Sequence, residues 1–292
     1  MDATSTSPGP DLPEFDADID EFYTSGYDEV DRLHITAAGR LERVRTQELL
    51  LRHLPPAPAR ILDVGGGPGD YSAWLASLGY DVTLVDPVAR HLEQAREHGT
   101  FAVEYGDARA LTSPDASMDV VLLMGPLYHL LDPAERVRAL AEAGRVVRPG
   151  GLIAGAFISR HAPIIDVAAK LRINDDEVFE RLHRLRRGGH NDAHHGFTAA
   201  YFHTVEEIRA DFAAAGLDDP AVYGIEGPLL GLVSSGLVED RPDVFEAALR
   251  AARLVEQDPA MLAGNGHLLA VTHAVTHAEA GTVPRAGAAA AG

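Results

Sequence analysis

Ile61-Leu62-Asp63-Val64-Gly65-Gly66-Gly67-Pro68-Gly69 carries the reading of this chain. A short apolar run reads as a buried strand, empties into a glycine-dense turn, and is followed by a helical pattern from Tyr71 to Leu78. Glycines remove the Cβ atoms that hold a ligand away from the backbone, and a helix start adds unpaired N–H groups and the positive end of its dipole. The stretch predicts a nucleotide cradle, and the residues around it decide which nucleotide.

The dinucleotide fingerprint G-x-G-x-x-G, begun at Gly65 and Gly67, needs a glycine at position 70, where Asp70 stands. The pattern present is Asp63-x-Gly65-x-Gly67-x-Gly69, which resembles the first motif of class I S-adenosylmethionine (SAM) dependent methyltransferases. In that family the loop cradles the amino acid end of SAM. A second strand, Asp81 to Val85, ends in Asp86, an acid placed about 20 positions after the loop to accept hydrogen bonds from ribose hydroxyls. NAD enzymes share this device, so Asp86 alone does not discriminate.

The resemblance continues in order along the chain. Phe101 to Tyr105 reads as a third strand followed by Gly106-Asp107-Ala108, where the family commonly holds the adenine amino group with the Asp. Asp119 to Met124 is an apolar strand running into Gly125-Pro126-Leu127-Tyr128-His129-Leu130, which looks like the fourth motif of the small-molecule branch resembling quinone-biosynthesis-type (methyltransferase type 11) enzymes. Arg148-Pro149-Gly150-Gly151 matches the turn before the fifth strand, Leu152 to Ile158. The resemblance implies SAM as cofactor, S-adenosylhomocysteine as its product, and a cofactor site at Tyr23, Asp63, Gly65, Gly66, Gly67, Asp86, Pro87, Asp107, Ala108 and Met124. Tyr23 and Tyr27 belong to this picture because they precede the first helix, where many relatives close a lid over SAM.

Strands alternate with helical patterns at 71–78, 88–98 and 134–147, which predicts an α/β fold with a doubly wound, mostly parallel sheet and ligands at the carboxyl ends of its strands. The resemblance raises this to a seven-stranded Rossmann-like methyltransferase fold with an N-terminal helical lid, an antiparallel final pair near 221–225 and 267–271, and a substrate cap built from insertions at about 160–203 and 228–262. A helix is expected between Gly39 and Leu54, stopped by Pro55-Pro56, and another from Thr204 to Ala215, where Thr204-x-x-Glu207 forms a capping box. Residues 1–18, rich in Ser, Thr, Pro and Asp, are expected to be a disordered tail, as is the Ala/Gly-rich end at 278–292, leaving 19–277 as one methyltransferase domain.

Composition narrows the chemistry. With 292 residues, 46% of them hydrophobic, the chain can bury a large core. It has no run near the roughly 18 apolar residues of a membrane span and no secretory signal pattern, so a cytoplasmic protein without membrane contact is expected. The absence of cysteine removes disulfides, thiolate metal sites and cysteine nucleophiles. A net charge of −19 argues against nucleic acid, whose binding draws on clustered Lys and Arg.

Transfer from a sulfonium demands positioning, and it demands a base only where the acceptor must lose a proton. His129, at the end of the fourth strand, is the candidate catalytic base; the alternative is a histidine that hydrogen-bonds backbone and shapes its loop. Tyr27, Tyr128, His194, His195, Tyr201 and His203 are the candidate substrate contacts. No metal is expected, because His190 to His195 reads as a polar loop and not as ligands fixed on regular elements. Arg181, Arg184, Arg186 and Arg187 complement a helix whose acids Asp175, Asp176 and Glu177 stand at its start. The expected activity is SAM-dependent methyl transfer to O or N, less readily C, of a small hydrophobic or aromatic metabolite by a monomer or homodimer. The alternatives are an NAD-type oxidoreductase and a non-catalytic SAM-binding regulatory protein.

Overall fold

The structure, a computed structural model, describes residues 16–26, 32–193 and 197–274. The expected tail at 278–292 and residues 1–15 of the expected N-terminal tail lie outside the described residues. The last three residues of that tail instead begin a helix, with the Asp16 side chain accepting the Asp18 and Ile19 N–H groups as its cap.

An N-terminal arm comprises α1 (Ala17–Glu21), a π-helical turn (Phe22–Gly26) and α2 (Arg32–Ile35), and leads into α3 (Ala37–His53). The alternating region follows as β1 (Arg60–Val64), α4 (Asp70–Ser77), β2 (Asp81–Asp86), α5 (Ala89–Glu97), β3 (Ala102–Tyr105), β4 (Met118–Leu123), α6 (Pro126–His129), α7 (Pro133–Val146) and β5 (Val147–Ile158). Beyond it lie α8 (Ala162–Ala169), α9 (Asp176–Gly188), the short antiparallel pair β6 (His190–Asn191) and β7 (Ala200–Tyr201), and α10 (Val205–Ala214). The chain closes with β8 (Ala221–Gly224), α11 (Leu230–Val233), α12 (Pro242–Val255), α13 (Pro259–Leu262) and β9 (His267–His273).

The seven-stranded sheet runs in the order β3-β2-β1-β4-β5-β9-β8, parallel from β3 to β5, with β9 antiparallel to both of its neighbours. The chain leaves β1 towards β2 on one side and returns to β4 on the other. A crevice therefore opens at the carboxyl end of β1, where the order reverses. Side chains alternate across the sheet. Leu62, Val64, Val121 and Leu123 enter the layer that holds Leu140, Phe157 and Phe212, while Ile61, Val120 and Leu122 enter the opposite layer with Leu49, Leu50 and Leu75.

The predicted elements appear within a few residues of their expected limits. The capping box at Thr204 and Glu207 is formed in both directions, and α9 has its acids in the first turn, arginines in the last, and Gly189 at φ 78° closing it. The insertion at 228–262 packs on the arm side: Leu230, Val233, Ala248 and Leu249 bury against Ala37 and Leu41 of the long helix α3. A fully buried arginine fixes this junction. Arg45 donates to Glu48 at 2.5 Å, to Glu256 at 2.6 Å and to the Ile225 carbonyl at 3.4 Å. Removing one member of a buried ion network strands the other charges. Arg45→Ala is expected to lower the unfolding free energy by roughly 3–5 kcal/mol in a urea titration, whereas Arg253→Ala, an exposed partner of the same Glu48, should cost less than about 1 kcal/mol.

Candidate cofactor and acceptor site

The loop after β1 is held in a shape that few residues other than glycine adopt. Gly65 sits at φ 70° and a Cβ there would stand 2.6 Å from the Pro126 ring, while Gly67 at φ 57° has only the His91 imidazole near, at 4.0 Å. Two hydrogen bonds fasten the loop to the next strand: Gly65 N–H to the Val85 carbonyl at 2.7 Å and Gly67 N–H to Asp86 Oδ2 at 2.9 Å. Asp70, which breaks the dinucleotide fingerprint, is bonded to His34 Nε2 at 2.7 Å and Arg43 Nε at 2.9 Å, so it ties the start of α4 to the arm and to α3.

A cavity of 690 Å³ opens above this loop, within the range of small-molecule sites. It brings together Gly65, Gly66 and Gly67, the acids Asp86 and Asp107 with their neighbours Pro87 and Ala108, Met124, Tyr128 and His129 from the end of β4, and Tyr23 from the arm. Asp63 does not line it. That carboxylate lies beneath the loop, fully buried, with Oδ2 accepting the Ser72 hydroxyl at 2.7 Å and Oδ1 without a hydrogen-bond partner among the described residues. Loss of hydration pushes its pKa up to about 6, against the pull of the Ser72 bond.

His129 ends the short helix α6. Its Nδ1 faces the Ala199 carbonyl at 3.5 Å and its Nε2 meets the Tyr23 hydroxyl at 3.0 Å. The ring touches the cavity but is otherwise enclosed by protein, and that burial lowers its pKa to about 4. It is therefore a neutral imidazole at pH 7. Asp107 is gripped by Arg109, which donates Nε and Nη2 to its two oxygens at 2.9 and 2.7 Å.

Several expected substrate contacts lie elsewhere. Tyr27, His194 and His195 fall outside the described residues. Tyr201 does not reach this cavity: its hydroxyl donates to Glu207 at 3.0 Å, and its ring stacks under Arg136, 4.3 Å from the guanidinium carbon. His203 is a core residue, 1% exposed, packed edge-on against Phe157 and Tyr201, with a pKa driven well down by burial. Among the described residues neither insertion expected to form the cap contributes a lining residue; 160–203 approaches the site from behind, through Phe197 and Ala199 against His129 and Thr198 against the Asp18 carbonyl. The closing wall is the arm, through Asp16 to Ile19, Tyr23, Arg32 and Leu33.

Sequence reasoning missed His91. Its Nδ1 donates to Asp86 Oδ1 at 3.2 Å, while its buried Nε2 has no hydrogen-bond partner among the described residues. The signal was its place in the first turn of α5, directly after the strand-ending Asp86. Glu42 and His267 also escaped notice, and Glu226, which the sequence offers as a contact for an amine or hydroxyl at the end of a strand, does not line the cavity but joins them, the side-chain ligand atoms of all three lying within 4.8 Å of one another. Their bonds describe a charge cluster. Arg32 donates to both oxygens of Glu42, and His267 Nδ1 donates to Glu226 at 2.5 Å. Burial opposes the charge on His267, and the two glutamates outweigh it, raising its pKa.

The donor set suits SAM. Open space above Gly67, a buried acid at Asp86 and an unpartnered carboxylate oxygen beneath the loop favour a ligand that carries hydroxyls and positive charge. Asp63 holds its charge at the expense of stability. Its raised pKa means that the folded protein loses stability as pH rises from about 4 to about 6, where the folded carboxyl ionises reluctantly and the unfolded one freely. Asp63→Asn, which keeps an acceptor for Ser72, should raise the unfolding free energy by roughly 1–3 kcal/mol at pH 7.5 and leave it near wild type at pH 4. An equal change at both pH values would assign the effect to packing.

A family model described as "Methyltransferase domain" matches residues 61–151. A ubiquinone biosynthesis O-methyltransferase of Ralstonia nicotianae is 34% identical over 184 residues, covering 61% of this chain and 71% of that protein. One of the same description from Methylocella silvestris is 42% identical over 106 residues, covering 35% of this chain and 40% of the relative. The chain thus spans about two fifths of the length of the Methylocella relative and more of the Ralstonia one. Among solved structures, a SAM-dependent methyltransferase of Thermotoga maritima, titled a possible histamine N-methyltransferase, superposes with a TM-score of 0.53 at 19% identity, covering 88% of this chain and 98% of that one. At that identity the likeness speaks for the fold. Together with the glycine loop and its acids, the sequence relatives place this chain in the class I SAM-dependent methyltransferases, of quinone-biosynthesis type.

Proposed function

We propose that the protein transfers a methyl group from SAM to an oxygen or nitrogen of a small hydrophobic or aromatic metabolite. The observation that carries this reading is one continuous cavity lined by the residues read as cofactor contacts, among them Gly65 to Gly67, Asp86, Asp107, Met124 and Tyr23, together with Tyr128 and His129, the candidates for the acceptor. The ring-lined acceptor end favours flat apolar acceptors, and the net charge of −19 supports a small molecule over a polyanion. Among the described residues no helix is long and apolar enough to cross a membrane.

When bound, SAM supplies a methyl carried on a sulfonium. The chain's own part is to hold and orient. Asp86 accepts the Gly67 and Val88 N–H groups, each at 2.9 Å, and His91 Nδ1 at 3.2 Å, which leaves about one of its four lone-pair sites, on Oδ2, for a ribose hydroxyl. Arg109 fixes the plane of Asp107, so its outward lone pairs are set for the adenine amino group. Arg136 holds the Leu130 and Leu131 carbonyls at 2.9 and 3.0 Å and thereby fixes the segment that lines the acceptor end.

Calorimetry should show SAM and S-adenosylhomocysteine binding with dissociation constants on the order of micromolar and no heat from NAD; comparable NAD binding would overturn the reading. Asp86→Ala should weaken S-adenosylhomocysteine about 10- to 100-fold, the scale of a lost hydrogen bond to a charged group. Unchanged affinity would remove Asp86 from the cofactor site.

A further inference from the structure

We propose that Tyr23 and His129 form a proton relay: the acceptor's proton passes to the Tyr23 hydroxyl oxygen as the tyrosine's own proton passes to His129 Nε2. The proposal rests on the methyl-transfer reading and adds Tyr23 as a catalytic residue, supplied by the arm, to the histidine at the end of β4. It also names the acceptor class, a neutral nucleophile that bears a proton, such as a phenol.

The direction of the hydrogen bonds supports the relay. The Ala199 carbonyl can only accept, so the proton of the neutral imidazole sits on Nδ1, facing it at 3.5 Å. Nε2 is then an acceptor, and the Tyr23 hydroxyl 3.0 Å away must donate to it. A phenol that donates its proton keeps an acceptor oxygen, and both side chains line the cavity where the acceptor would lie. Histidine alone, with Nε2 already bonded to Tyr23, would have to break that bond before it could reach an acceptor.

Packing fixes both rings. Tyr23 stands edge-on to His129, 5.5 Å between centroids at 89°, and edge-on to His91 at 5.0 Å. On its other side His129 stacks on Phe197, 5.8 Å away at 27°. Arg90 donates to the Thr24 carbonyl at 3.2 Å and holds the turn that carries Tyr23. A relay through two side chains needs this rigidity, because each proton moves along a preset line.

Charge balance supports it too. His129 is kept neutral chiefly by burial; the Ala199 carbonyl, Asp86 and Asp16 favour its charged form and His91 opposes it. In the step the acceptor gains the carbon and loses its proton, the electron pair of the broken carbon–sulfur bond stays on sulfur, and the proton shift ends with imidazolium at His129. The cavity holds one positive charge before and after the step, so imidazolium at His129 forms without the repulsion of a neighbouring sulfonium.

The test uses the full chain labelled with ¹⁵N-histidine. Binding of S-adenosylhomocysteine by the wild type, measured first by calorimetry, tests the methyl-transfer reading on its own. Imidazole ¹⁵N spectra of that complex at pH 7.5 should show His129 protonated on Nδ1, with an Nε2 resonance that moves in Tyr23→Phe. An Nε2–H tautomer, or a resonance indifferent to Tyr23→Phe, overturns the relay. With catechol as acceptor and methyl-labelled SAM, Tyr23→Phe and His129→Gln should each lower kcat by roughly 100-fold or more. The double variant should be no worse than either single one, with S-adenosylhomocysteine affinity within about threefold of wild type. Tyr23→Phe with wild-type kcat overturns the proposal as well.

Discussion

The Asp86 carboxylate accepts the Gly67 N–H through one oxygen and the Val88 N–H and His91 Nδ1 through the other, so the glycine loop, β2 and α5 meet on a single anion. The sheet order makes this meeting possible, because β1 and β2 are neighbours in register and end together, Val64 beside Val85. Without that anion the loop, with left-handed glycines at 65, 67 and 69, would lose the tie at Gly67 and be fastened to β2 through the Gly65 N–H and the Val85 carbonyl. With it, the backbone N–H groups and the acid face one cavity, and the later strands bring Asp107 and His129 to the same edge.

Much of this could be read from the chain itself. Where a rule is local, such as an apolar run ending in glycine or an acid closing a strand, the residues state their own conformation, and Asp86, Asp107 and the capping box at Thr204 are found where the pattern puts them. The loss of legibility begins with long-range packing. Tyr201 and His203 looked like site residues because polar aromatics in an insertion suggest ligands, yet their environment is decided by Phe157, Arg136 and Arg160 from distant parts of the chain. The same holds for 228–262, whose apolar positions could have met the cavity or α3 and met α3. No local signal announces that Arg45 is fully buried, since its partners Glu256 and Ile225 come from the far end of the sequence.

Division of labour follows from this arrangement. The carboxyl ends of the strands, built from residues close together in sequence, form one side of the cavity, while the N-terminal arm closes another. The arm is anchored by polar contacts: Asp70 with His34, Arg32 with Glu42, and Tyr23 with His129. Apolar packing adds to these bonds, since Ile19 and Tyr23 bury against Val88 at the start of α5.

Asp63 has a consequence of another kind. A carboxyl that ionises near pH 6 beneath a loop built for a cationic ligand is a point of exchange between two positive species, since the charge arriving above the loop competes with the proton below it. The buried acid that weakens the empty fold thus costs less once a cation lies above the loop.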